Sequence, residues 1–327
     1  MKCSGAATLL TAALLALLTP VAELSAQSQP PEEIVSLSSL SMTDEQFLNG
    51  DTASAEPVTL SGRLQIPASG EPPYPSVILL HGSDGPGSAG TWNWARILNR
   101  IGIATLRIDS YSGRGFEEIF TGQGRVGEFN NVVDTFRALD WLAADSRFDA
   151  DRIAVMGFSR GGIAALYSAM TRIEKLYGSR KAKLSAHIPF YPPCNFSLEA
   201  ELDVEPAPIR AFHGEADVWN PAPRCVDYVQ RLEAAGHDAT ITVYPDAHHA
   251  FDHTGSPSYN VKEDAQTSRK CFRREENGQL VNADTGKSFS WEDACVELGP
   301  AVQYNSTAAD AAAKAVTEFL TELWQLR

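Results

Sequence analysis

The six residues Gly157-Phe158-Ser159-Arg160-Gly161-Gly162 constrain the fold of this chain more than any other stretch. The apolar run Arg152 to Met156 before them reads as a strand, and Ile163 to Met170 after them reads as a helix. A strand that becomes a helix within so few residues must turn sharply. Residues two before and two after the turn must then be small, or chain would collide with chain. Gly157 and Gly161 meet that demand. The turn lifts the Ser159 hydroxyl above the sheet edge and sets it at a helix N-terminus, where N–H groups favour negative charge. Gly-x-Ser-x-Gly alone is a common pattern, and its plain alternative is a Gly-rich turn. Its strand-and-helix context makes Ser159 a candidate nucleophile.

The flanking pattern repeats strand and helix. Val58–Ile66 alternates as a half-buried antiparallel strand, and Pro67–Pro75 is rich in turn residues. Ser76–Leu80 and Ile103–Ile108 are continuous apolar runs suited to strands buried on both faces. Further strands are expected at 184–190, 209–212 and 239–244. Helices are expected at 92–101, 128–146, 221–235 and 307–326. This order predicts an α/β fold with a mostly parallel central sheet and helices on both faces. Residues 27–56, rich in Ser, Pro, Gln and acidic residues, read as a flexible N-terminal arm with at most a short helix. Residues 252–300 are polar and long for a connection. They read as an excursion with a hairpin around Asn277-Gly278.

Lys2, the apolar run Leu9–Leu18 and Ala22-Glu23-Leu24-Ser25-Ala26 have the form of a secretory signal peptide cut after Ala26. The run is too short to span a bilayer, so no stable membrane anchor is expected. Its removal takes away one Lys and one Glu and leaves the net charge at −14. That charge argues against nucleic acid and anionic membranes as partners. Export would place the protein in a periplasm or the outside medium. Four cysteines remain: Cys194, Cys225, Cys271 and Cys295. Two disulfides are expected, of three possible pairings; Cys194–Cys225 and Cys271–Cys295 close the shorter loops. The alternative is four unpaired thiols. No Cys-x-x-Cys or His-x-x-x-His pair suggests a metal site, and no cofactor is implied. Asn195-Phe196-Ser197 and Asn305-Ser306-Thr307 fit a glycosylation pattern.

A serine hydroxyl is barely ionised near neutrality and needs a base, and histidine can take and return the proton. A buried carboxylate then orients the ring and stabilises its charged form. In a strand–turn–helix serine site, acid and histidine follow the serine in chain order, on loops past later strands. The acid candidate is Asp217, with Glu215 as the alternative in the same loop. The base candidate is His249, with its neighbour His248 as runner-up. His81, His187, His213 and His237 read as loop or core hydrogen-bonders. The oxyanion formed in acyl transfer would need two backbone donors, the N–H of Arg160 and that of Ser83. Each such donor is worth about 3–4 kcal/mol in the transition state. Trp92, Tyr111, Phe190, Tyr191 and Trp219 are candidate pocket walls, with core packing as the alternative for each.

Taken together, Leu80-His81-Gly82-Ser83, Asp109–Gly115, Gly157–Gly162, His213–Asp217 and Ala247–Phe251 resemble the dienelactone hydrolase family of α/β-hydrolases. The resemblance covers about residues 57–255 and the terminal helix. It implies Asp217 as the acid, His249 over His248 through the His-x-Phe ending, and Ser83 as the second oxyanion donor. Family members usually carry Cys where this chain has Ser159, and a Glu where it has Gly82. The resemblance implies a serine hydrolase cleaving carboxylic esters or lactones through an acyl-enzyme. A peptidase of the prolyl-oligopeptidase type and a non-catalytic binding protein on the same scaffold are the alternatives.

Overall fold

The computed structural model describes residues 1–3 and 32–326. The expected signal peptide falls almost entirely outside the described residues. The core of the fold is an eight-stranded sheet. Its strands are β1 (Glu32–Ser41), β2 (Glu56–Gln65), β3 (Tyr74–Leu80), β4 (Ala104–Asp109), β5 (Phe148–Phe158), β6 (Ala186–Phe190), β8 (Ile209–Gly214) and β9 (Ala239–Tyr244). A two-residue strand, β7 (Phe196–Ser197), lies outside it. The spatial order is β1-β2-β4-β3-β5-β6-β8-β9. β1 and β2 run antiparallel to their neighbours, and the other six strands are parallel.

The apolar runs explain the two layers around the sheet. Strand residues alternate faces, so a run buried on both sides serves two cores. On β3, Val77 and Leu79 pack with α2 (Ala89–Arg100) and α7 (Ser306–Trp324). Ile78 and Leu80 pack on the other side with α3 (Asn130–Ala144), α4 (Arg160–Tyr167), α5 (Thr171–Tyr177) and α6 (Ala222–Ala234). The second face also takes Val35 and Leu37 of β1 and Phe47 of α1 (Asp44–Leu48).

The expectation of a flexible arm over 27–56 is therefore corrected. Its described part, from Glu32, is a ten-residue strand paired in full register with β2, followed by a helix with a Thr43/Gln46 capping box. Composition hid a period-2 pattern in which Val35, Leu37 and Ser39 face inward. Ser39 Oγ donates to Asp134 Oδ1 at 2.6 Å, and Arg114 forks onto the same buried carboxylate at 2.8 and 2.9 Å. A polar residue on the inward face thus finds its partner 95 positions away, which no local pattern reveals. α5 was also absent from the expected elements; its sequence, Thr-Arg-Ile-Glu-Lys-Leu-Tyr, buries only Ile173 and Tyr177.

Both disulfides pair as the shorter loops suggested, Cys194 with Cys225 and Cys271 with Cys295. Residues 273–276 and 279–282 form the expected hairpin, with Asn277 and Gly278 both at positive φ.

His187 lies in the core of β6, its Nδ1 near Ser168 Oγ (3.1 Å) and the Ala165 carbonyl (3.0 Å). Burial pushes its pKa down to about 4. The unfolded chain takes up this proton near pH 6.5, whereas the folded chain does so only near 4. The stability that depends on a neutral His187 is complete above pH 6.5. It is lost as pH falls through that window, to the extent of about 3 kcal/mol. His187→Gln is expected to narrow the gap in Tm between pH 7 and pH 4.5, measured by thermal unfolding. An unchanged gap contradicts this assignment.

Candidate active site

The turn between β5 and α4 carries the strain its sequence demands. Ser159 sits at φ 51°, ψ −112°, a backbone region costly for any residue with a Cβ. A Cβ on Gly157 would lie 2.0 Å from the Gly161 carbonyl oxygen. One on Gly161 would lie 2.4 Å from the Leu80 carbonyl oxygen. The turn closes only because both positions lack side chains.

Three loops converge on Ser159. The loop after β9 brings His249, whose Nε2 lies 3.0 Å from Ser159 Oγ. The loop after β8 brings Asp217, whose Oδ2 lies 2.8 Å from His249 Nδ1. Asp217 Oδ1 accepts the backbone N–H groups of Trp219 and Asn220, each at 2.8 Å. These bonds fix the buried carboxylate and leave its other oxygen for the histidine. Glu215, the alternative acid, is exposed. His248, the alternative base, turns its ring toward Tyr259. Positive φ at Asp246 and Ala250 lets the loop present His249 inward, with Phe251 buried behind it. His213 is buried 3.9 Å from Asp217 Oδ2, and burial lowers its pKa, which keeps it neutral.

Ser83 and Arg160 lie beside Ser159. Ser83 and Ser159 line one cleft, and both line a second small recess together with Arg160. Among the described residues, neither the Ser83 nor the Arg160 N–H donates to an acceptor of the chain. A Cβ on Gly82 would lie 3.3 Å from Ser159 Cβ, so a side chain there would crowd Ser159. Glycine leaves that approach open.

The cleft over Ser159 encloses about 130 Å³. Of the five aromatic candidates, Tyr191 and Trp219 line it, joined by Phe120 and Phe158. Their rings also hold His249 between them, at centroid distances of 4.8 and 5.1 Å. The other three are corrected. Trp92 is exposed on α2, Tyr111 packs against His81, and Phe190 lies in the core between Trp94 and Phe212. Sequence reasoning missed Asp252. Its buried carboxylate accepts from Tyr191 Oη at 2.6 Å and Trp94 Nε1 at 2.7 Å, and so fixes Tyr191 against His249. Its place beside the His-x-Phe ending was the available signal.

The excursion and the residues just beyond it reach the cleft and the loops after β8 and β9. Ser256, Lys262 and Val302 line the cleft. The Gln303 N–H donates to the His249 carbonyl (3.2 Å). Thr267 Oγ1 donates to the Trp219 carbonyl (2.8 Å), and Arg269 to the Val218 carbonyl (2.6 Å), behind Asp217. Arg273 is buried against Glu128, 2.6 Å from Asn195 Oδ1 and over the Phe196 ring. Asn195 is thereby committed to the interior and cannot serve as a glycan acceptor.

Against known proteins, residues 62–274 match the dienelactone hydrolase family. A presumed carboxymethylenebutenolidase of Yersinia pestis is 34% identical over 136 residues, 40% of this chain and 48% of that protein. The acylamino-acid-releasing enzyme of Rattus norvegicus is 26% identical over 219 residues, 56% of this chain and 30% of that enzyme. This chain therefore spans about half or less of the length of those relatives. Among solved structures, a presumed dienelactone hydrolase of Klebsiella pneumoniae superposes with a TM-score of 0.53 at 18% identity, covering 88% of this chain and 99% of that one. A dienelactone hydrolase-like promiscuous phosphotriesterase from metagenomic libraries gives 0.52 at 15% identity, covering 89% and 98%. Those likenesses show the fold, which is that of the α/β-hydrolases.

Gly161→Ala is expected to lower stability by about 3 kcal/mol or more, because the methyl meets backbone that cannot move aside. Gly87→Ala, whose Cβ has nothing within 4 Å, is the matched control and should change little. Denaturant unfolding checks both; equal stabilities for the two variants would contradict the steric reading.

Proposed function

The chain belongs to the dienelactone hydrolase family, and from that premise we propose that it is a serine hydrolase of carboxylic esters or lactones. The observation that carries this reading is the continuous hydrogen-bonded line from Ser159 Oγ through His249 to Asp217. In this mechanism Ser159 Oγ attacks the carbonyl carbon while His249 Nε2 takes the hydroxyl proton. Asp217 holds the ring and stabilises the imidazolium. The N–H groups of Ser83 and Arg160 receive the negative oxygen. Collapse breaks the ester bond, and the leaving alcohol takes the proton from His249. Water, deprotonated by His249, then attacks the acyl carbon and frees Ser159.

The name of the Yersinia relative points to a butenolide, an unsaturated lactone, and supports lactones within the substrate range. One observation favours a second reading, a peptidase: the similarity to acylamino-acid-releasing enzymes. We place the enzyme outside the reducing cytosol, exported by a signal peptide over residues 1–26. Its two disulfides support that location. Its catalytic domain is taken to run to the end of α7, with the 252–300 excursion as part of it.

Turnover of p-nitrophenyl esters and simple lactones tests the reading. Ser159→Ala is expected to lower kcat by about 10⁴-fold or more, with the fold retained. Retention of wild-type turnover would exclude Ser159 as nucleophile. Preferential cleavage of an aminoacyl amide over the matching ester would favour the peptidase.

A further inference from the structure

We propose that Gln123 is a positioning residue for the oxyanion hole, tying together the two residues whose backbone N–H groups form it. The inference rests on the hydrolase reading above. Gln123 lies in the short turn Gln123–Arg125 between β4 and α3 and is buried. Its side-chain oxygen accepts from Ser83 Oγ at 2.9 Å and from an Arg160 guanidinium nitrogen at 3.3 Å. The guanidinium has donors only, so the amide must turn its oxygen to Arg160. That leaves the second lone pair to the Ser83 hydroxyl. One atom therefore bridges the loop after β3 and the first residue of α4.

Gln123 is itself pinned. Its N–H donates to Gln266 Oε1 of the excursion at 2.8 Å. Arg160 is held further by the Val126 carbonyl, in the same segment. The Ser83 carbonyl accepts from Ile119 N at 2.8 Å, which anchors that loop to the residues just before Gln123. The segment 119–126 thus grips both donors from behind.

Two donors stabilise one oxygen only if they converge on where it will be, and displacement of about an ångström in such a site is costly. Ser83 and Arg160 each lie three residues past the last paired position of β3 and β5, Leu80 opposite Gly157, where the strand ladder no longer fixes them. Gln123 bridges the two beyond that point. Its hydrogen bonds go to Ser83, Arg160 and Gln266 rather than to Ser159, His249 or Asp217, so its loss should leave the Ser159–His249–Asp217 line and substrate binding in place and weaken only transition-state stabilisation.

The test uses the full chain. Gln123→Met keeps length but offers no strong acceptor, and Gln123→Glu keeps the acceptor. Gln123→Met is expected to lower kcat on an ester about 10- to 30-fold with KM within about twofold. Its affinity for a trifluoromethyl ketone, which forms the oxyanion, should fall in step. Affinity for the product acid should stay, and Gln123→Glu should recover most of the rate. If Gln123→Met matches wild type while Ser159→Ala is inactive, this inference is overturned and the hydrolase reading stands. The inference is equally overturned if Gln123→Met only lowers Tm and its folded fraction keeps the wild-type kcat. A wild-type protein that neither turns over esters nor binds the ketone overturns both.

Discussion

The strained backbone at Ser159 is the constraint on which the rest of this structure depends. A non-glycine residue at φ 51°, ψ −112° persists only if its surroundings leave no alternative. Here the alternatives are closed by contact. Gly157 and Gly161 lie within 2–2.5 Å of carbonyl oxygens at the point where a Cβ would stand, and Ser159 N–H is held by the Phe190 carbonyl. Because β5 lies in the middle of the parallel sheet, its turn opens at the carboxyl ends of its neighbours. The loops after β3, β8 and β9 then have only one place to go. Strand order thus brings Ser83, Asp217 and His249 together from positions up to 166 residues apart (249 − 83).

Bringing loops together is not the same as holding them. Asp217 and His249 stand on irregular chain, which is mobile unless tied down. The excursion does the tying through Thr267 and Arg269, with Gln303 just beyond it, and its own hold on the domain runs through the buried Arg273–Glu128 pair, while the Cys271–Cys295 link closes the excursion on itself. Removing one partner of a buried ion pair is far costlier than never having built it. The excursion is therefore committed to its place and works as a brace that also forms part of the cleft wall.

The Gly161→Ala expectation shows which parts of this design were legible in the sequence. Steric demands are local, so the sharp turn at Ser159 is legible in six residues together with the strand and helix runs that flank them. Chain order and loop position narrow the acid to Asp217 or Glu215 and the base to His248 or His249, and the His-x-Phe resemblance favours His249. The parallel strands were legible because burial on both faces leaves continuous apolar runs. What stayed hidden depends on partners far away in sequence. β1 looked like a solvated arm because its inward Ser39 is matched by Asp134. Gln123 and Asp252 looked like ordinary polar residues because their roles arise from Ser83, Arg160 and Tyr191. Pocket wall and core packing could not be told apart for Trp92, Tyr111 and Phe190 for the same reason, since side-chain surroundings are set by packing that single-chain patterns do not encode.

Mass spectrometry of the intact protein after reaction with a fluorophosphonate, followed by peptide mapping, tests the central claim most directly. The claim is that backbone geometry and the His249–Asp217 pair activate one serine. The account predicts a single adduct, on the peptide carrying Ser159, that does not form on the unfolded chain or on His249→Ala. No adduct on the folded protein, or an adduct on another serine, would contradict it.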